Sequence, residues 1–383
     1  MSEIRMKYYP VDNGDTSLIT LSDETKILID INITNDSEDE ENKDRYDVRR
    51  DLLDNELKKD GKKPYVDIFI LSHPDEDHCR NFKSNFFLKV PEKYTKEDEK
   101  NELIIINELW YSPKLFERLK KGEDLSSDAE AFKKEANRRM ELYKSKPEEA
   151  NKDGNRVRVI GYSDNPKLNG LEDRIIVPGN TINVFNDEEK DDLTLFIHAP
   201  LKDNIKQEER NGSSIVFQAR FNVDDQNDAC LAFWGGDAGW KIWEQILNKS
   251  NDNDLAWDLF LAPHHCSWTF FNDNTDEGKK KPQDSSLQIL DKKREGNPKV
   301  ISSSKEIKND KNPPSVKAKN QYVNKVKDKN FWVTSEHSNT NPPEPIEFEI
   351  TNQGPDETIS NNSKNSQKEK LIGGAAGSPK TYG

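Results

Sequence analysis

The chain has 383 residues, 32% of them hydrophobic and 34% charged, with a formal net charge of −14. That balance excludes a broad electrostatic grip on nucleic acid, which Lys and Arg must supply by neutralising phosphates, and leaves only a local basic groove open. No apolar run approaches the roughly 20 residues that span a bilayer, and Met1-Ser2-Glu3-Ile4-Arg5 lacks the apolar centre of a signal peptide, so a cytoplasmic protein with no membrane partner is expected.

In chain order, residues 6–10, 17–21 and 26–31 read as paired strands, separated by the turn residues Asp12-Asn13-Gly14-Asp15 and Ser22-Asp23-Glu24. After an acidic excursion, Val48, Leu52, Leu53 and Leu57 fall at helical spacing, and Gly61 and Pro64 end that helix. Residues 65–71 form a short run rich in β-branched and aromatic side chains, bounded by Pro64 and Pro74, and read as a buried strand; 103–110 is another. The charged stretch that follows carries Leu115, Phe116 and Leu119 at helical spacing, so residues 113–149 are expected to be an inserted helical hairpin on the surface.

Short strands at close spacing, 157–161, 174–177, 181–185, 193–199, 213–221 and 229–234, predict a second sheet. Residues 240–248 are an amphipathic helix, 255–262 a strand that runs into Pro263-His264-His265, and 299–303 and 331–334 are closing strands. Beyond about Ile350 the composition falls to Asn, Ser, Lys, Gln and Gly. One domain over 1–350 and a disordered tail over 351–383 are therefore expected. Cys79, Cys230 and Cys266 are too few and too scattered for a disulfide framework or a zinc knuckle, and free thiols in a reducing compartment are expected.

The chemistry concentrates where strands end. Immediately after the 65–71 strand, His73-Pro74-Asp75-Glu76-Asp77-His78 offers two imidazoles and two carboxylates within six residues, a nitrogen and oxygen donor set suited to zinc, manganese or iron. Pro74 stiffens that loop and keeps Ser72-His73 out of a helix. Two later strands also end on possible ligands, at Trp234-Gly235-Gly236-Asp237 and at Pro263-His264-His265.

In the order and spacing of these segments the sequence resembles the metallo-β-lactamase superfamily, over about residues 4–340. Asp30 matches an early Asp, the 73–78 loop matches HxHxDH with Asp75 in place of its middle His, Asp237 matches a bridging Asp, and His264 or His265 a final His. The HxDxDH form is most similar to the hydrolase domain of ComEC-type DNA-uptake competence proteins, as are Val11-Asp12-Asn13-Gly14-Asp15-Thr16-Ser17-Leu18, Phe196-Ile197-His198-Ala199-Pro200, Asn211-Gly212-Ser213-Ser214-Ile215-Val216 and Pro263-His264-His265-Cys266-Ser267. The chain departs from that pattern in carrying Cys79-Arg80-Asn81 where Gly-Gly is usual, and His264-His265-Cys266-Ser267 for HHGS.

The resemblance implies an α/β fold, a four-layer αββα sandwich of two mixed sheets with an inserted helical segment. It also implies two divalent metal ions, Zn2+ or Mn2+, sharing a hydroxide. The expected ligands are His73, Asp75, Asp77, His78, Asp237, His264 and, in the third-motif position, His198; Asn211 or Ser213 competes for that position and would otherwise face substrate. Asp77 is expected to orient the attacking hydroxide, and His265 to protonate the leaving oxygen or simply to hydrogen-bond. The implied reaction is hydrolysis of a phosphodiester, in nucleic acid or a nucleotide, with Lys62, Lys63, Lys305 and Lys317 as candidates for lining a groove. Two rival readings stay open: hydrolysis of an ester, thioester or lactone, and a metal-stabilised scaffold that binds protein partners through the tail or the helical segment.

Overall fold

The computed structural model describes residues 3–34, 45–116, 124–202, 210–273, 281–309 and 313–358. Among these the chain is mixed α/β, with a 10-stranded and a 7-stranded sheet. The first sheet is built on β1 (Ile4–Tyr8), β2 (Ser17–Thr20), β3 (Lys26–Ile29), β4 (Lys63–Ile70), β5 (Ile105–Tyr111) and β6 (Arg156–Ile160). The second runs in the order β7 (Leu193–Ala199), β8 (Val216–Val223), β9 (Gln226–Trp234), β10 (Leu259–Leu261), β11 (Lys299–Ser302) and β12 (Phe331–Val333), with the short strand Thr181–Ile182 on its edge beside β7. Strands β3 to β6 are mutually parallel, as are β9 to β12, while β1, β2 and β7, β8 complete the sheets in antiparallel fashion.

The two sheets face each other across one apolar core, where Tyr8 of β1 stacks on Trp234 of β9 at 5.8 Å. On the outer face of the second sheet a separate core gathers Phe233, Phe260 and Val300 with side chains of α2 (Trp240–Lys249), α3 (Asp284–Asp291) and α4 (Val316–Val326). On the outer face of the first sheet Phe69 and Phe82 meet Phe132, at ring separations of 6.0 and 5.2 Å. The layers therefore run helix, sheet, sheet, helix, which agrees with an αββα sandwich.

Four expectations are corrected. The strands expected over 157–161 and 174–177 continue the first sheet, beside β5, and are not part of the second. The segment after β5 is no surface hairpin: the 19-residue helix Ser127–Ser145 carries the chain from β5 to its parallel neighbour β6 and buries Ala129, Phe132, Ala136 and Met140. Parallel neighbours need a long crossover connection, usually helical, so this is a structural crossover; residues 117–123 lie outside the described residues. The apolar spacing over 48–57 yields only the short α-turn Val48–Asp51 and the wider turn Leu52–Glu56.

The boundary of the expected tail also moves. Ile346–Thr351 pairs antiparallel with β1 and turns at Gly354, whose φ is +112°, into a further strand, Gly354–Glu357. Ile346, Phe348 and Ile350 alternate into the core, and His337 Nε2 lies 2.8 Å from Glu357 Oε1. Residues 359–383, the rest of the expected tail, lie outside the described residues.

Candidate metal centre

Parallel strands place their C-terminal ends on one edge, and here both sheets turn that edge to the same place. The first sheet delivers Asp30 just beyond β3 and the 73–78 loop beyond β4; the second delivers Asp237 beyond β9, His264 and His265 beyond β10, and Ser303 beyond β11. The loops lock to one another through backbone bonds: Asp30 N donates to Ile70 O at 2.9 Å, Ile215 N to Ser72 O at 2.9 Å, and His264 N to Gly236 O at 3.0 Å. Gly236 has a φ of +46°, and a Cβ there would lie 2.9 Å from Ser72 Oγ, so the approach of the two sheets at this point requires glycine.

His264, His265 and Cys266 all have left-handed backbone, with φ of 51°, 53° and 62°. Three consecutive non-glycine residues in that region cost roughly 1–2 kcal/mol each. The turn is held by Ser267 N donating to His264 O at 2.9 Å and Ser315 N to Cys266 O at 3.0 Å. Its effect is to bring two adjacent histidines into the same cleft.

The centre of the cluster is the buried carboxylate of Asp237. His78 Nε2 lies 2.9 Å from it, His264 Nε2 3.6 Å, His265 Nε2 3.9 Å and His73 Nδ1 4.0 Å. His265 Nε2 is also 3.2 Å from Asp77 Oδ2, and His73 Nδ1 is 3.7 Å from Asp75 Oδ1. Three rings are held from behind: His78 Nδ1 by Asp30 Oδ2 at 2.9 Å, His265 Nδ1 by the Ser303 carbonyl at 3.2 Å, and His264 Nδ1 by Thr269 Oγ1 at 3.0 Å. With the Asp30 carboxylate and the Ser303 carbonyl as acceptors behind Nδ1, the Nε2 lone pairs of His78 and His265 are the ones turned toward the carboxylates, the arrangement a metal-binding histidine needs; His264 Nδ1 also faces the Asn211 amide.

Electrostatics follow from this crowding. Burial works against its charge, yet His264, His78 and His73 hold the Asp237 carboxyl well below the usual range. The same contest lifts His78 well above an ordinary histidine: burial opposes the charge, and Asp237 and Asp30 outweigh it. Against burial, Asp15 and Asp77 push His265 up to about 10. For Asp77, too, burial opposes ionisation, but His265 draws it down to about 2. Burial dominates at His73, whose pKa falls, and its Nε2 is buried without a hydrogen-bond partner. A polar atom left in that condition costs roughly 1–3 kcal/mol, so its position fits a missing ligand better than a packing role. Among the described residues the groups His73, His78, Asp237 and Asp77, His78, His265 each bring three donor atoms close enough for one ion.

Of the expected residues, His73, Asp75, Asp77, His78, Asp237, His264 and His265 are brought together. His198 is not. It belongs to β7, where Ile197 faces the inter-sheet core and the alternation sends His198 to the opposite face, stacked on Phe233 at 5.2 Å with Nδ1 3.0 Å from Ser250 Oγ. Of the two candidates that competed with it, Asn211 reaches the centre, with Nδ2 3.3 Å from His264 Nδ1, while Ser213 is fully buried and so removed from any substrate surface.

Of the paired histidines, His265 is the buried one and stands with Asp77 and His78, whereas the His264 side chain is 25% exposed at the mouth. The cysteines are all free and buried, burial pushes Cys79 and Cys266 up to about 12, and none belongs to the donor groups above. The residue given no role in sequence is Asp15, buried beside His78 and His265; it stood in the Val11–Leu18 segment that carries the resemblance, but its Asp-Asn-Gly-Asp turn reads equally as a plain hairpin. Lys62 and Lys63 sit at the start of β4, the end far from the site, while the Lys305 ammonium lies 3.8 Å from Asp12 Oδ2 and that of Lys317 4.2 Å from the Trp268 ring centre.

Compared with known protein families and with curated proteins, the chain matches none of them. No helix among the described residues is long and apolar enough to cross a membrane.

Proposed function

We propose that this chain is a metal-dependent hydrolase of the metallo-β-lactamase fold that cleaves phosphodiesters. The observation that carries the reading is the set of four imidazoles, from His73, His78, His264 and His265, turned on the single buried carboxylate of Asp237. Packing gives no reason for that set, since it buries four of these five titratable groups at considerable desolvation cost.

His73, His78, Asp77, Asp237 and His265 are the residues to hold divalent cations, with Asp75 and His264 at the mouth. The nitrogen and oxygen mixture suits Zn2+ and Mn2+ alike. Bound cations would supply a water of lowered pKa and neutralise charge growing on a phosphoryl oxygen. Asp30, Ser303 and Thr269 fix the rings; Asp77, with its side chain 30% exposed, is placed to accept a hydrogen bond from a nucleophilic water. His264, exposed at the mouth with Nδ1 held by Thr269, takes over the proton-donating role first expected of the buried His265.

Elemental analysis of the purified protein, followed by a substrate panel with added Mn2+ or Zn2+, tests this. The panel sets bis(p-nitrophenyl) phosphate, single-stranded DNA and cyclic dinucleotides against ester, thioester and lactone substrates. Phosphodiester turnover abolished by chelator is expected. Turnover of esters or lactones alone would move the assignment within hydrolases, and bound metal with no turnover at all would leave a scaffold.

A further inference from the structure

The turn between β1 and β2 is wedged between the two halves of the centre. Asp15 N donates to Asp77 O at 3.1 Å, and Ser303 Oγ donates to Gly14 O at 2.6 Å, so one turn is tied to the 73–78 loop of the first sheet and to the end of β11 in the second. Close approach requires glycine here: a Cβ on Gly14 would lie 1.9 Å from Asn32 Nδ2 and 2.7 Å from the Asp77 carbonyl oxygen.

Seated in this way, Asp15 is 5% exposed and points one carboxylate oxygen at each of two rings. Its Oδ2 lies 3.8 Å from His78 Nδ1, and its Oδ1 lies 3.6 Å from His265 Nδ1 and is buried without a hydrogen-bond partner. Each Nδ1 has a nearer acceptor as well, Asp30 for His78 and the Ser303 carbonyl for His265. The two nitrogens of an imidazole lie on opposite edges of the ring, so negative charge gathered behind Nδ1 turns Nε2 the other way. In both rings that direction is toward Asp237, and in His265 also toward Asp77.

We propose that Asp15 is a positioning residue for the metal centre: set between His78 and His265 by the Gly14 turn, its carboxylate holds the Nδ1 edges of both rings and so keeps both Nε2 atoms on the ligand side. The inference rests on the metal-binding reading above. Asp15 lies on the far edge of the His78 ring from Asp237, where with Asp30 and His78 it makes a separate group of three donor atoms close enough for an ion, so the Zn2+ competition is read together with the ring signals.

The test uses the full chain carrying Asp15→Asn, which keeps the shape and removes the charge, and has two readouts. The first is Zn2+ affinity, by competition with a chromophoric chelator; loss of a group that orients ligands predicts weakening of about 10–100-fold. The second is the imidazole 15N spectrum of the metal-free protein, in which the His78 and His265 signals are expected to shift while His198 stays in place. Wild-type affinity, or unchanged His78 and His265 signals, overturns the proposal. Should the wild-type protein bind no Zn2+, the metal reading fails, and the nitrogen spectrum still decides the role of Asp15. Should Asp15→Asn fail to fold, Ser303→Ala, which releases the Gly14 carbonyl, is expected to shift the same two sets of signals and weaken Zn2+ several-fold; no shift there overturns the proposal equally.

Discussion

Nε2 of His78 lies 2.9 Å from Oδ1 of Asp237, although the two residues stand 159 positions apart and hang from different sheets. The contact makes the cleft between the sheets a single chemical unit. A change on either side should therefore be felt as a change in the whole centre.

Asp237→Asn is accordingly expected to strip most of the metal, because the carboxylate that the four imidazoles face would no longer offset the charge of a bound cation. Asp77→Asn, at the partly exposed edge, should retain more metal yet lose turnover by roughly 1,000-fold, about 4 kcal/mol of barrier. Metal content by mass spectrometry and turnover must be read on the same preparations. Full metal and full activity in both variants would remove the centre from the chemistry.

The adjacent histidines should separate. His265 is buried with Asp77 and His78, so His265→Ala is expected to lower metal content more than His264→Ala does. His264→Ala should chiefly lower kcat, as befits a ring at the mouth. The reverse ranking of metal content would restore His264 as the ligand, the reading that sequence order alone had favoured.

His198 sets an acid limit on stability that has nothing to do with the centre. Burial draws its pKa down to about 3, whereas the unfolded chain titrates near 6.5. Between those values the unfolded state binds a proton that the folded state refuses, so stability falls as pH drops below about 6.5 and continues to fall toward 3. At pH 5 the loss from this residue is about 2 kcal/mol. His198→Phe, which keeps an aromatic ring against Phe233, should reduce the drop in urea-unfolding free energy between pH 7.5 and pH 5 by that amount. Equal drops in the two proteins would show that His198 is protonated in the fold.

Two truncations distinguish tail from sheet. Removing residues 359–383, which are poor in apolar side chains, should leave the melting temperature unchanged. Removing residues 354–383 also takes away the strand paired to Ile346–Thr351 and the Glu357 partner of His337, and should cost about 1–3 kcal/mol. If the longer deletion is as stable as the shorter, the terminal hairpin adds nothing to the fold.

Much of the architecture was legible in the sequence because it is encoded locally. The strand over 193–199 coincides with β7, the 65–71 run marks β4 to within two residues, and the runs over 65–71 and 229–234 end just before residues of the centre. The helices α3 and α4 escaped notice because their buried positions, such as Ala318, Tyr322 and Val326, are sparse among polar neighbours, although Ser315 caps α4 with its side chain on Ala318 N. The stretch after β5 was read as an insertion because its charge masked the four residues that cover the sheet.

What the sequence by itself determined is the inventory and the place of each group: which aspartates and histidines follow which strands, and hence that they meet on one edge of the sheets. Only the tertiary structure decided which of them face one another. The direction of a side chain at a strand end depends on the parity of the strand and on the backbone of the turn, so His198 is turned outward while a left-handed turn brings both His264 and His265 inward. The seating of Asp15 depends on how closely the two sheets approach, a distance set by packing between residues such as Tyr8 and Trp234 that belong to different sheets.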